Sequence, residues 1–190
     1  AKIRPKSKAI LRTRGYYSVQ ELLQQYKTHI WGLVECYAGA FFHVVSSLLL
    51  KIAQVQDNFL HKLDLSNRDA FLKFNFAPTI LRRNIGVLGF LHKRVLGLSH
   101  PSIEKLLSWY SQRFDESRGL GHNKQLYGHS VEISHQRSLF NRSIFAMVDI
   151  YNNLPQEIVD ASNVKIFQSL LTKVAKERCL RGDPDWTMSF

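Results

Sequence analysis

Apolar residues recur every three or four positions through most of this chain, the spacing that gathers them on one side of a helix. The stretch around which the others are arranged runs over residues 78–97, PTILRRNIGVLGFLHKRVLG. Wound at 3.6 residues per turn, it sets Ile80, Leu81, Ile85, Leu88, Leu91 and Val95 on one broad side and gathers Arg82, Arg83, Lys93 and Arg94 on the other. Gly86 and Gly89 fall within the basic side, where each weakens the helix by about 1 kcal/mol relative to Ala. Bare backbone flanked by cations suits a phosphate backbone drawn by charge or a neighbouring helix drawn by close packing, and the glycines alone do not choose between them.

The same spacing predicts helices before and after this one. Ser18-Val19-Gln20-Glu21 is a capping box that opens a helix carrying Leu22, Tyr26, Ile30, Leu33 and Tyr37 on one face. Residues 30–50 are apolar apart from Glu35, His43 and two serines, which raises the question of a membrane span. A buried hairpin accounts for the run better: Gly39 interrupts it, and Ser46 or Ser47 offers a new N-cap for a helix with Leu48, Ile52, Val55, Phe59 and Leu63 on one face. Membrane contact over 30–50 is the alternative. Ser66-Asn67-Arg68-Asp69 predicts another start, for a short helix with Phe71, Leu72 and Phe74 that ends by Pro78. Gly97 supplies the stop of the central helix, and Pro101 starts a short helix with Ile103, Leu106, Leu107 and Trp109.

Between residues 112 and 135 the periodicity gives way to polar residues with Gly119, Gly121 and Gly128, read as a long loop with at most a small hairpin. Helical spacing resumes over Leu139 to Leu154 with Phe140, Ile144, Met147, Val148 and Tyr151. Ser162 is the expected cap of a last helix, with Ile166, Phe167, Leu170, Leu171 and Val174 inward and Lys165, Lys173, Lys176 and Arg178 in water. The fold class is therefore mainly α, a bundle of about six to seven helices. The expected organisation is a basic N-terminal arm over 1–17, one helical domain over 18–180, and an extended tail over 181–190 on which Trp186 and Phe190 dock.

Charge changes the picture more than composition does. The chain of 190 residues has a formal net charge of +11, which favours a polyanionic partner. Residues 1–14 carry Lys2, Arg4, Lys6, Lys8, Arg12 and Arg14 with no acid, and Pro5 argues against a continuous helix there. Such an arm orders on nucleic acid or on a partner's surface; a solubilising tail or a remnant of an organelle-targeting segment has the same composition. Two cysteines, Cys36 and Cys179, make no disulfide framework, which fits an intracellular, reducing compartment.

Three segments resemble a known family. Tyr26 to Leu60, YKTHIWGLVECYAGAFFHVVSSLLLKIAQVQDNFL, Leu81 to Gly97, LRRNIGVLGFLHKRVLG, and Ile150 to Leu171, IYNNLPQEIVDASNVKIFQSLL, are similar to the thumb and downstream region of non-LTR (LINE-type) retrotransposon reverse-transcriptase-like proteins. Asn84 stands where that family usually has Asp, and Tyr151 where it usually has Trp. The resemblance implies a thumb that grips a template–primer duplex, with backbone contact by Arg82, Arg83, Lys93 and Arg94. The palm aspartates that would hold divalent ions are missing, since no two aspartates are adjacent in this chain.

Other chemistry finds little support in the residues. His122, His129 and His135 lie in the glycine-rich loop without Cys-x-x-Cys or His-Glu-x-x-His spacing, so no metal and no cofactor is expected. No Gly-x-Ser-x-Gly elbow or activated cysteine marks a nucleophile, and Gly119 to His122 lacks the strand and helix of a phosphate-cradling loop. Two readings follow. One is a non-catalytic module binding RNA or an RNA–DNA hybrid through the arm and the central helix, nuclear if it is still a retroelement product. The other is a structural subunit of a large assembly, such as an organellar ribosome or a membrane protein complex, with protein neighbours covering Trp31 and Trp186.

Overall fold

The computed structural model describes residues 3–36, 46–109, 122–127 and 143–190. It is mainly helical, with no strand among those residues beyond a single antiparallel bridge between Trp109 and Leu126. In chain order the elements are α1 (Ile3–Arg12), α2 (Val19–Tyr26), a π-helical turn (Lys27–Trp31), α3 (Gly32–Cys36), α4 (Ser46–His61), α5 (Asn67–Phe74), α6 (Thr79–Val95), α7 (Pro101–Leu106), α8 (Ala146–Asn152), α9 (Gln156–Val159), α10 (Val164–Arg181) and a 3-10 turn (Trp186–Met188).

The helix ends follow local chemistry. Ser18 and Glu21 exchange hydrogen bonds as a capping box at the start of α2, and the Ser66 hydroxyl accepts from the Asp69 amide at the start of α5. Gly97 and Gly182 take left-handed backbone, φ +70° and +81°, behind α6 and α10. There the Leu98 amide donates to Lys93 and the Asp183 amide to Arg178, closing both helices in the same manner. At α10 the expected cap is displaced by one residue: Asn163, not Ser162, accepts from the Ile166 amide.

The expectation of an irregular N-terminal arm is overturned. Residues 3–12 form α1, because Pro5 falls in its first turn, where no N–H is needed and the fixed φ suits a helix. Ser7 and Ile10 are buried, and α1 packs on α2, the π turn and α4. Lys2 lies outside the described residues. So do Tyr37, Gly39, Leu139, Phe140 and most of the 112–135 segment, including its expected hairpin beyond Tyr127.

Two apolar clusters fill the interior. One joins Ile10, Leu22, Leu23, Tyr26, Ile30, Phe59, Leu60, Ala70 and Phe76, so α1, α2 and α4 close on α5. The other surrounds α6 with Phe71, Met147, Val148, Tyr151, Phe167 and Leu171 among its members. Adjacent residues of α5, Ala70 and Phe71, belong to different clusters, which makes that short helix the joint between them. The tail docks as expected: Trp186 stacks on Phe71 with centroids 5.2 Å apart, and Phe190 packs on the second cluster. It turns through the 3-10 segment instead of running extended. Among the described residues no helix is long and apolar enough to cross a membrane.

Some inward positions are shifted. In α4 it is Leu49 that is buried and Leu48 that is exposed, and in α10 the buried stripe is Phe167, Leu171, Ala175 and Cys179 while Ile166 faces water. Leu106 and Trp109 are also exposed, whereas Leu107 is buried.

The central helix separates its two glycines. A Cβ on Gly89 would stand 2.4 Å from Nε2 and 3.1 Å from Cγ of Gln168 on α10, so the Gln168 side chain lies over this glycine. At Gly86 nothing lies within 4 Å of that position. Gly86→Ala should therefore raise stability by about 0.5–1 kcal/mol, the helix-propensity gain alone. Gly89→Val should lower it by about 1–3 kcal/mol through overpacking. Chemical denaturation of both variants checks the pair, and equal shifts would contradict the assigned contact.

Candidate nucleic-acid interface

The cations expected to form one basic side on α6 have different surroundings. Arg82 lies with its guanidinium carbon 3.2 Å from the ring centroid of Trp31 and pairs with Glu35. Burial pushes this guanidinium below the ordinary arginine range, and a nearby Tyr26 opposes the shift only in part. Arg83 is half-buried, its Nη1 donates to the Asn84 side chain at 3.1 Å, and burial lowers its pKa too. Arg94 is buried: its Nε donates to the Leu107 carbonyl at 2.9 Å, its guanidinium faces Trp109, and Glu104 stands 3.9 Å away. Of the four, Lys93 alone is exposed.

The open cationic face assumed for α6 is thus corrected. A helical wheel separates polar from apolar positions, but it does not show that α3, α7 and α10 cover the polar ones. Trp31 and Glu35 are the partners that sequence reasoning missed. Trp31 is hidden from the sequence by the π turn, which adds a residue to the helix and shifts the ring from its α-helical register to a place between Arg82 and Phe76. Nothing in the local sequence announces that turn.

The N-terminal cations have the opposite fate. Ile3, Ser7, Ile10 and Leu11 face inward from α1, and Arg4, Lys6, Lys8 and Arg12 are exposed, with Arg14 exposed just beyond. Arg4, Lys8 and Arg12 follow one another at four-residue intervals, about 6 Å apart along the helix axis. The first acid in the chain is Glu21, and it is held by Ser18. Tyr16, 88% exposed, and Tyr17, 46% exposed, follow directly. Lys8, Leu11, Arg12, Arg14, Gly15 and Tyr16 line a shallow hollow there. Cationic side chains beside free aromatic faces can hold phosphates and stack bases.

Two histidines, His92 and His122, act as internal ties, whereas His29, His61 and His100 are exposed. His122 is buried; its Nε2 donates to the Tyr151 carbonyl at 2.9 Å, and its Nδ1 accepts from the Lys124 amide at 3.0 Å. His92 is also buried, donating from Nε2 to the Ala161 carbonyl and accepting at Nδ1 from the Tyr151 hydroxyl, both at 3.0 Å. His129 and His135 lie outside the described residues, among which no group of three metal-ligating side chains occurs.

Burial lowers the pKa of both buried histidines, and Lys124 adds to the effect. Their neutral forms favour the fold, so this stabilisation is complete above the unfolded value of about 6.5 and is lost as pH falls from there through the folded values. Urea midpoints should therefore fall from pH 7 to pH 5, and the fall should shrink to roughly half in His122→Gln, whose amide can replace both bonds. A pH dependence that the substitution leaves unchanged would show that other groups set it. No protein-family model, curated protein or solved structure matches this chain.

Proposed function

We propose that this protein is a non-catalytic RNA-binding module, descended from the thumb region of a LINE-type reverse transcriptase, that grips phosphate backbones with α1. The observation that carries the reading is the outward row of Arg4, Lys8 and Arg12, with Lys6 and Arg14 beside it and no acid before Glu21. Phosphate contacts from such a row give affinity without sequence choice. Tyr16 and Tyr17, exposed at its end, add faces on which unpaired bases stack. The mainly helical architecture of the described residues is consistent with a thumb-derived module, and α1 replaces α6 as the gripping element.

A second reading, a structural subunit of a large assembly, is favoured by a different surface. Leu98, Leu106 and Trp109 are all exposed on the segment that follows α6. A protein neighbour would cover them. The Trp31 and Trp186 contacts expected of such a neighbour are instead supplied within the chain by Phe76, Arg82 and Phe71.

Fluorescence anisotropy of a labelled RNA with a single-stranded loop, titrated from low to physiological salt, tests the first reading. Arg4→Ala/Lys8→Ala/Arg12→Ala should weaken binding and flatten the slope of log K against log salt by about 2, near 0.7 per lost contact with a single strand. Lys93→Ala/Lys165→Ala/Lys173→Ala removes the same charge from exposed positions elsewhere and should leave the slope almost unchanged. Equal losses from the two variants would mean that net charge alone attracts the RNA.

A further inference from the structure

Where α1 ends, its last turns and the turn that follows border an open hollow lined by Lys8, Leu11, Arg12, Arg14, Gly15 and Tyr16. The three cationic side chains are exposed, and among the described residues none of them takes part in a hydrogen bond, ion pair or ring contact. Their donors are open to a ligand. No acid lines the hollow, and Glu21, the first carboxylate in the chain, is held by Ser18. Tyr16 supplies an aromatic wall, 88% exposed, on which no ring or cation of the described residues packs. A Cβ on Gly15 would meet nothing within 4 Å, so bare backbone leaves room beside that ring. The carbonyls at the helix end are occupied from within: Thr13 donates to Ile10 from both its amide and its hydroxyl, the Arg14 amide donates to Leu11, and the Tyr16 amide to Thr13. The partial negative charge of a helix C-terminus, about half an elementary charge, is outweighed by three cations.

Earlier along α1 the outward row offers one cation per turn, Arg4 and then Lys8, which matches the single charge of each internal phosphate. At the hollow Arg14 joins Lys8 and Arg12, so three cations border one space. That excess suits a phosphate with more than one charge. We propose that the hollow receives the phosphorylated end of an RNA strand, its terminal phosphomonoester among Lys8, Arg12 and Arg14 and its terminal base stacked on Tyr16. A phosphomonoester has a second pKa of about 6, so it carries about −1.5 to −2 charges at neutral pH and presents three acceptor oxygens to these donors. An internal phosphodiester offers less of both. Inorganic phosphate would leave the Tyr16 face unused, whereas a base covers it. A phosphorylated lipid headgroup is disfavoured, because Leu11 is the one aliphatic side chain in the lining and it is half-buried, leaving little to enter an acyl layer. The inference rests on the RNA-binding reading of α1 and adds to it a preferred end.

Fluorescence anisotropy of the full chain with one unpaired RNA, labelled internally and ending in a 5′-phosphate, a 3′-phosphate or hydroxyls only, tests the assignment. One phosphorylated form should bind about tenfold more tightly than the hydroxyl form, and which form it is gives the direction of the strand along α1. Arg14→Ala and Tyr16→Ala should each cut that ratio to about threefold or less, while Tyr16→Phe keeps the stacking face and the ratio. Lys6→Ala removes a charge from α1 outside the hollow, so it should weaken every form and leave the ratio as it was. Lys6, Arg14 and Tyr16 are all exposed, so these variants should retain the fold. Equal binding of the three RNAs, or a ratio that Arg14→Ala leaves unchanged, would overturn the end preference while the α1 grip stands. Binding of none of them would remove both. Sedimentation with phosphatidate vesicles separates the remaining source of a phosphomonoester: binding that Arg14→Ala abolishes would assign the hollow to a lipid and overturn the proposal.

Discussion

A helix enclosed on several sides by other helices must have its polar groups satisfied from within the protein, and α6 imposes that requirement on its neighbours. It packs against α10, α8, α4 and the 3-10 turn. Asn84, His92 and Arg94 are buried along it. Each fixes a different part of the chain: Asn84 donates to the Phe190 carbonyl at 2.7 Å, His92 joins Tyr151 of α8 to Ala161 before α10, and Arg94 holds the carbonyl that ends α7. Replacing His92 or Arg94 by an apolar residue would leave a buried carbonyl or hydroxyl without a partner, a cost of about 1–3 kcal/mol. The helix therefore acts as a post to which the loops are tied by polar bonds and the helices by apolar contact.

The N-terminal half attaches to this post through aromatic stacking as well as through a shared core. Tyr26 meets Phe59 and Phe76 at 4.5 and 5.3 Å, Phe76 stacks on Trp31, and Trp31 carries Arg82 of α6 on its ring. Gln56 of α4 completes the junction, accepting from the Trp31 indole and from Thr79 and donating to the Ala77 carbonyl. Its amide uses both its oxygen and its nitrogen, as a polar side chain 1% exposed must. The π turn makes the arrangement possible by bringing Trp31, five positions after Tyr26, back toward the Tyr26 side, so that both rings meet Phe76.

The features of this fold that could be read from sequence are those determined by a few adjacent residues. Ser18 with Glu21, Ser66 with Asp69, and Gly97 mark helix ends because capping is a contact between neighbours in the chain. Pro5 misled because its meaning depends on position within a helix, harmless in the first turn and disruptive one turn later. Ser162 and Asn163 were both chemically suitable caps, and the register of Phe167 and Leu171 against α6 decides between them. The candidate interface was legible only as a set of charges. Whether an arginine on a polar face meets water, a ring or a carboxylate is settled by contacts far away in sequence, as between Glu35 and Arg82.

Those contacts also explain how the positive charge is distributed. A guanidinium is planar and weakly hydrated, so it stacks on indole and donates to several acceptors at once, whereas an ammonium stays hydrated. Along α6 the three arginines are buried or half-buried and the one lysine is exposed, as this difference requires. Among the described residues no ring stacks on and no carboxylate pairs with Arg4 or Arg12 of α1, and both remain outside with Lys6 and Lys8. The same residue type thus serves cohesion in one helix and outward charge in the other. The chemistry of the facing element, Trp31 and Glu35 against α6 and solvent against the outer side of α1, makes that assignment.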